Sequence, residues 1–397
     1  MNTAQPILQN NRTVIVDIIR GFALLGVLIA NLAGFINFAL PDYQVALLTN
    51  TVPDKITEYF VSLFIDGKFI MIFSILFGYG FGVLIERVAK KGMNTNRFFI
   101  RRMIILLLFA LLHLAIWWGE ILNVYAMAGL LMLLFKNVKT KKILFWGLFF
   151  LFIVTPIIQG LKIFLLPPPG EKLNALLNDY VTGIRSGNLF NIAKSNYTVT
   201  MYFFVERWSQ LRDVAEALGK FLIGYYIYKS GYLQNLSASI AFIKQVFRIA
   251  LVISILYLVK KVIIEIIGVT YEGKMLTLID YELSNTGILS LSLVYCTSLV
   301  QIYYRNNNLK IYKALAAVGM MSLTNYVSQT IIYIFFFYGF GLSMLGKMHM
   351  QWVLPMAVVI FTIQIFISRS WMERFQFGPA EWIWRQLTYW KKLPLRK

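Results

Sequence analysis

Long apolar runs recur along this 397-residue chain, and most approach or exceed the roughly 20 residues a helix needs to cross a ~30 Å hydrocarbon layer. Ten spans are expected, at 14–40, 56–85, 103–118, 121–135, 143–166, 213–228, 249–267, 286–304, 315–338 and 352–367. The third and fourth are short and separated by Gly119 and Glu120, so they read as a tight helical hairpin or as one interrupted span. The sixth is the weakest. The one long connection, 167–212, opens with Pro167, Pro168 and Pro169 and divides the chain into an N-terminal half, 1–166, and a C-terminal half, 213–397. It is rich in Asn and Tyr and carries Trp208, which fits short interfacial helices or a flexible linker. No sequence repeat relates the halves. The expected fold is an all-α polytopic membrane helix bundle of about ten transmembrane helices. Its first segment carries Asp17 and Arg20 and has no small-residue cleavage site, so it is an uncleaved span.

Composition agrees: 58% of residues are hydrophobic and 14% charged, against about 25% charged in soluble domains. Disorder is excluded, and an ordinary soluble enzyme is disfavoured. The net charge of +20 taken as a total admits nucleic acid, an anionic surface or the positive-inside rule as its cause. Position decides among them. From Arg12 onward, most basic residues fall in alternate connections, at 87–102, 136–142, 229–248, 305–313 and 369–397. That alternation is an orientation signal placing both termini in the cytoplasm, and nucleic acid is not an expected partner. Lys162, Lys220, Lys260 and Lys261 fall inside the drawn spans and read as snorkelling residues or as span ends drawn too long. The single Cys296 excludes a disulfide framework, and two histidines, His113 and His349, leave little for a metal site.

Ionisable groups within such spans each need a partner, a cavity or a purpose. Asp17 and Arg20 share a helix face, as a local ion pair or as part of a polar cluster in which Arg20 takes a phosphate or carboxylate. Asn31 continues that face outward. Asp66, Gly67 and Lys68 break an apolar stretch, as a membrane-edge turn or as a polar site. Gly78 and Gly82 form a small-xxx-small pair that lets another helix approach. His113 lies about ten residues beyond Arg101 and Arg102, hence about 15 Å into the layer. Glu120, seven positions on, would share its face if the helix continued, making His113 a general-base candidate oriented by a carboxylate. His113 bonded to a neighbouring carbonyl is the plainer reading. His349 reads as a solvated loop residue. Ser322, Asn325 and Gln329 form a polar stripe suited to interhelical hydrogen bonds or substrate contact. No Gly-x-Ser-x-Gly elbow, His-Glu-x-x-His or Walker loop is present.

Four stretches carry a family resemblance. They are Asp17 through Asn31, the phenylalanine-rich run Phe69 to Gly82, Arg101 to Ala126 with its histidine and the Ile121-Leu122-x-x-Tyr125-Ala126 pattern, and a C-terminal set. That set comprises Ser322-Leu323-Thr324-Asn325-Tyr326, Tyr338-Gly339-Phe340-Gly341 and Phe375 to Arg385 with Gly378, Pro379, Glu381 and Trp384. Together they resemble the YeiB-like family of bacterial membrane proteins over nearly the whole chain. The resemblance implies a multi-pass plasma-membrane protein related to transmembrane acyltransferases of the heparan-glucosaminide acetyltransferase type. It further implies acyl-CoA, acetyl-CoA above all, as co-substrate and a lipid, glycan or small molecule as acceptor. By matching motif the intramembrane histidine of that type is His113, with Asp17 and Arg20 in the opening polar motif. Joined to the reading of the residues themselves, the expected site has His113 as catalytic base and Glu120 as its orienter, with Asp17, Arg20, Asn31, Asp66, Lys68, Arg101, Arg102, Tyr125, Ser322, Asn325 and Gln329 binding substrate. Asn123 stands where many relatives carry a second histidine. The competing expectation is a permease that uses the same buried charges for a solute or proton path, and a non-catalytic membrane scaffold is a third.

Overall fold

A computed structural model describes residues 13–37, 39–168, 170–268 and 273–397. Arg12 and Pro169 lie outside the described residues. The chain forms α1 Val14–Asn37, α2 Asp42–Leu48, α3 Val52–Phe64, α4 Lys68–Lys90, α5 Thr95–Leu114, α6 Leu122–Met132, α7 Thr140–Phe149 and α8 Thr155–Leu165. It continues with α9 Gly170–Arg185, α10 Leu189–Met201, α11 Ser209–Lys229, α12 Leu236–Ile267, α13 Lys274–Arg305, α14 Lys310–Met320, α15 Ser322–Phe337, α16 Val353–Arg374 and α17 Pro379–Tyr389. Among the described residues five stretches are long and apolar enough to cross a bilayer: Val14–Asn37, Val52–Lys90, Thr140–Leu165, Lys274–Arg305 and Met350–Arg374. The protein is an all-α polytopic membrane protein.

Several expected spans are subdivided. The second breaks at Ile65–Gly67, where Gly67 takes φ +78°, a conformation that favours glycine. The ninth breaks at Met321, separating α14 from α15. The third and fourth are a hairpin, but α5 stops at Leu114 and the connection runs 115–121. The 167–212 connection is a helix pair, α9 and α10, and it is anchored. Asn196 accepts from the Trp118 N–H at 2.8 Å and donates to the Ala115 carbonyl. Tyr197 donates to the Leu111 carbonyl, and Arg185 to that of Leu345. The pair therefore covers the α5–α6 connection.

Close helix approach organises the interior. A Cβ on Gly78 would lie 1.9 Å from the Phe221 carbonyl oxygen, and one on Gly224 1.8 Å from that of Ile75, so α4 and α11 touch backbone to backbone. Gly82 admits the Tyr228 ring at the same interface. The pair α1 and α14 repeats the device at Gly21 and Gly319. Small residues serve this purpose where lipid supplies no hydrophobic drive between helices. As a result α11, the weakest span in the sequence, packs against α4, α6 and α7 in the middle of the bundle.

The connections at one end are rich in Lys and Arg. Lys136 donates to Asn96 at 2.5 Å, Lys229 to the Val138 carbonyl at 2.9 Å, and Tyr228 to Glu86. At the opposite end His349 keeps its partly exposed place in the loop and gains a partner there: its Nδ1 lies 3.0 Å from Asp54 Oδ2, and Asp54 also accepts the Gln351 N–H. The carboxylate that caps α3 needs further donors once buried, and the segment before α16 supplies them.

Gly78→Val and Gly224→Val should each lower stability by at least about 1–3 kcal/mol, because the obstructing atoms are backbone. Thermal unfolding in detergent checks this. Unchanged midpoints would contradict the α4–α11 packing.

Candidate functional site

A cavity of about 550 Å³ opens among α1, α4, α5, α6, α15 and α17. Its mouth carries Arg87, Lys90, Arg102 and Arg385, with Glu86 and Glu381 beside them. Arg102 is held flat by Trp384, 3.5 Å from the ring, whose indole N–H also donates to the Arg102 carbonyl. Arg385 stacks on Phe377 at 4.6 Å. Stacking on a ring face fixes the plane of a guanidinium, and a planar fork suits an anion. Glu381 is engaged otherwise: it accepts from the Leu323 and Thr324 N–H groups and from the Thr324 hydroxyl, capping α15 from another helix.

Asp17 and Arg20 follow, joined at 2.8 Å between Nη1 and Oδ1. Both line the cavity, as does Ser322. Beyond them the wall turns apolar at Leu24, Val27, Phe73, Phe77 and Leu106, and it ends at Asn31, Gly119, Ile121, Leu122, Tyr125 and Tyr326. Eleven helical residues from Arg20 to Asn31 correspond to about 16 Å of depth. The Tyr125 hydroxyl is 2.6 Å from Ser74 Oγ.

His113 and Glu120 sit behind this part of the wall. The His113 Nε2 lies 2.9 Å from Thr330 Oγ1, and the imidazole ring is 5.4 Å from that of Tyr326, a wall residue. Its Nδ1 is buried without a hydrogen-bond partner among the described residues, 3.8 Å from Glu120 Oε1. The expected relation of the two therefore changes. They do not share a helix face, since α5 ends first, and 3.8 Å is no hydrogen bond. Glu120 instead accepts the N–H groups of Leu122 and Asn123, satisfying the start of α6. Its neighbours Gly119 and Ile121 form part of the wall. Asn123 is buried nearby, with its Oδ1 unpartnered among the described residues.

The structure thus brings Asp17, Arg20, Asn31, Arg102, Tyr125 and Ser322 onto one cavity, with His113 and Glu120 at its end. Other candidates lie elsewhere. Arg101 is beside Arg102 on α5 but off the wall. Lys68 is buried at the α3–α4 break, donating to the Ser62 carbonyl at 2.6 Å, and Asp66 belongs to the same break. Asn325 bonds Ser368 at 3.0 Å and the Val318 carbonyl, and Gln329 bonds Gln364 at 2.9 Å. Those two side chains hold α15 to α16.

Sequence reasoning passed over Arg385, Glu381 and Tyr326 as site residues, although all lie in the C-terminal motifs. It also passed over a charged face on α11. Lys220 does not snorkel: it is buried, with its Nζ 2.5 Å from Glu216 Oε1. The 3-and-4 spacing of Asp213, Glu216 and Lys220 was the available signal.

A family model described as a protein of unknown function (DUF418) matches residues 227–391. "Uncharacterized protein YxaH" of Bacillus subtilis (strain 168) is 30% identical over 429 aligned positions, covering 100% of this chain and 99% of the relative. An "uncharacterized 39.9 kDa protein in amylase 3′ region" of Bacillus acidopullulyticus is 27% identical, covering 98% and 97%. "Uncharacterized protein YeiB" of Escherichia coli (strain K12) is 27% identical, covering 95% and 96%. No solved structure matches the chain. With relatives aligned along almost their whole length and the DUF418 match across its second half, the chain belongs to the YeiB-like family.

Proposed function

We propose that the protein is a multi-pass plasma-membrane acyltransferase that takes an acyl group from cytoplasmic acyl-CoA, acetyl-CoA foremost, to a lipid, glycan or small-molecule acceptor. The observation that carries this reading is a cavity that joins a basic mouth to an inner end walled by Tyr326, with His113 behind that ring. Arg87, Lys90, Arg102 and Arg385 suit the phosphates, which planar stacked guanidiniums bind bidentately. Arg20, partly neutralised by Asp17, suits a polar group farther in. The apolar middle suits the arm that links the nucleotide to the thioester, and leaves the thioester near Gly119 and Ile121.

In this mechanism Tyr326 shifts to admit the acceptor to His113. The imidazole Nδ1, without a hydrogen-bond partner among the described residues, takes the acceptor's proton as oxygen or nitrogen attacks the thioester carbonyl. The new C–O or C–N bond forms, the C–S bond breaks, and the proton passes to the departing thiolate. Glu120 holds the 115–121 turn by capping α6 and stabilises the transient imidazolium through space. The α9–α10 pair keeps water from this end.

His113→Ala should reduce acyl transfer from labelled acetyl-CoA by at least about 10²-fold, with membrane insertion and thermal stability retained; unchanged turnover would sink the assignment. Arg102→Gln and Arg385→Gln should each weaken acetyl-CoA binding about tenfold, the scale of a lost charge-assisted bond, when measured by calorimetry on nanodiscs. Unaltered affinity would remove the phosphate role of the mouth. Solute flux into proteoliposomes without covalent turnover would favour the permease reading instead.

A further inference from the structure

The helix α17 carries an apolar stripe that no membrane span accounts for. Its 11 residues are too few to cross a bilayer, yet Ile383, Leu387 and Trp390 are 43%, 41% and 76% exposed. At 3.6 residues per turn the three fall within about 60° of one another. The cavity-lining residues of the same helix, Glu381, Trp384, Arg385 and Tyr389, fall on the opposite face. The stripe is therefore turned away from the cavity.

The partners of α17 fix where it lies. Only 375–378 separate it from the membrane span Met350–Arg374. At its start the Ala380 N–H donates to Thr324 Oγ1 at 3.0 Å, and near its end the Tyr389 ring meets that of Phe98 edge-on, with centroids 4.9 Å apart. The helix thus reaches from the start of α15 to the start of α5, across the basic end of the bundle. The chain then turns back. The Trp382 indole N–H donates to the Leu393 carbonyl at 2.8 Å, the Gln376 N–H to that of Leu395 at 2.9 Å and the Lys397 N–H to that of Arg374 at 3.2 Å. These bonds fasten the tail to the last residues of a span, which keeps the exposed Lys391, Lys392, Arg396 and Lys397 close to the bilayer boundary.

Charge decides what covers the stripe. From 382 to 397 the chain has five basic residues and no acidic one. A second copy would set this basic segment against itself. Anionic headgroups complement it, and a short helix with an apolar face bordered by lysines is the pattern of one lying in the membrane interface. Trp390 adds to this. It takes φ 56°, a left-handed conformation that favours glycine. Packing against the protein does not explain a tryptophan so exposed, whereas the headgroup layer accommodates its amphipathic ring.

We propose that α17 is an interfacial helix docked on anionic lipid in the leaflet at the basic end, with Ile383, Leu387 and Trp390 seated below the headgroups and Lys391 and Lys392 on their phosphates. The lipid surface then backs the helix whose other face holds Trp384 against Arg102. It steadies the cavity mouth whatever the cavity binds.

The test uses full-length protein in vesicles of phosphatidylcholine, alone or mixed equally with phosphatidylglycerol. Leu387→Cys in a Cys296→Ala background carries an environment-sensitive fluorophore, and brominated acyl chains report its contact with lipid. Adding phosphatidylglycerol should shift the emission to the blue and increase quenching by the bromolipid. Lys391→Gln with Lys392→Gln should return both readings to their phosphatidylcholine values, with an unchanged thermal midpoint, since only exposed side chains are altered. Equal quenching in the two lipids, or in the two proteins, would overturn the proposal. So would water-like emission in phosphatidylglycerol, or blue emission without quenching, which would place a second copy over the stripe.

Discussion

Inside hydrocarbon a polar group that finds no partner in the protein finds none at all, and this constraint decides where almost every polar side chain of the bundle ends up. Glu120 is spent on the first N–H groups of α6, and Glu381 on those of α15. Lys68 is drawn to the Ser62 carbonyl on α3, across the break, and the amides of α15 and α16 are drawn to each other. Once these debts are subtracted, the polar groups that still face open space mark the cavity. Its basic mouth, ion-paired neck and apolar middle form a graded approach to the Gly119–Tyr125 end.

The second determinant is how closely the helices approach. Glycines at 21, 78, 224 and 319 bring backbones together where any side chain would collide. Their effect on function is indirect. By seating α11 in the centre, the α4–α11 contact sets Phe221 5.0 Å from the Tyr125 ring, so a helix that carries charges packs against the cavity wall. Such a helix tolerates burial because its charges are partnered in place: Glu216 with Lys220, and Asp213 with Arg212.

Much of this was legible in the chain. The long apolar runs mark the helices, because twenty consecutive apolar residues have few other uses. Asp17, Arg20, Asn31, Arg102, Tyr125 and Ser322 were recognisable as polar or motif positions in apolar surroundings, and they meet on one wall. Other features depend on partners distant in sequence. Seven residues separate His113 from Glu120, which suggests one helix face, yet α5 ends at Leu114 and the two approach across a turn. Ser322, Asn325 and Gln329 share a stripe, but Gln364 and Ser368 on α16 claim its last two members. The breaks at Gly67 and Met321 are masked by apolar neighbours on both sides. His349 depends on Asp54, almost three hundred residues away in the chain.

Acyl transfer from cytoplasmic acyl-CoA, as proposed, requires the cavity to open at the basic end and that end to face the cytoplasm. In a Cys296→Ala background, Ser322→Cys sits at the neck of the cavity and Ser186→Cys at the exposed turn between α9 and α10. A membrane-impermeant maleimide applied to right-side-out and to inside-out vesicles distinguishes the two faces. Ser322→Cys should label only in inside-out vesicles and Ser186→Cys only in right-side-out ones. Labelling of Ser322→Cys from the same side as Ser186→Cys would contradict it.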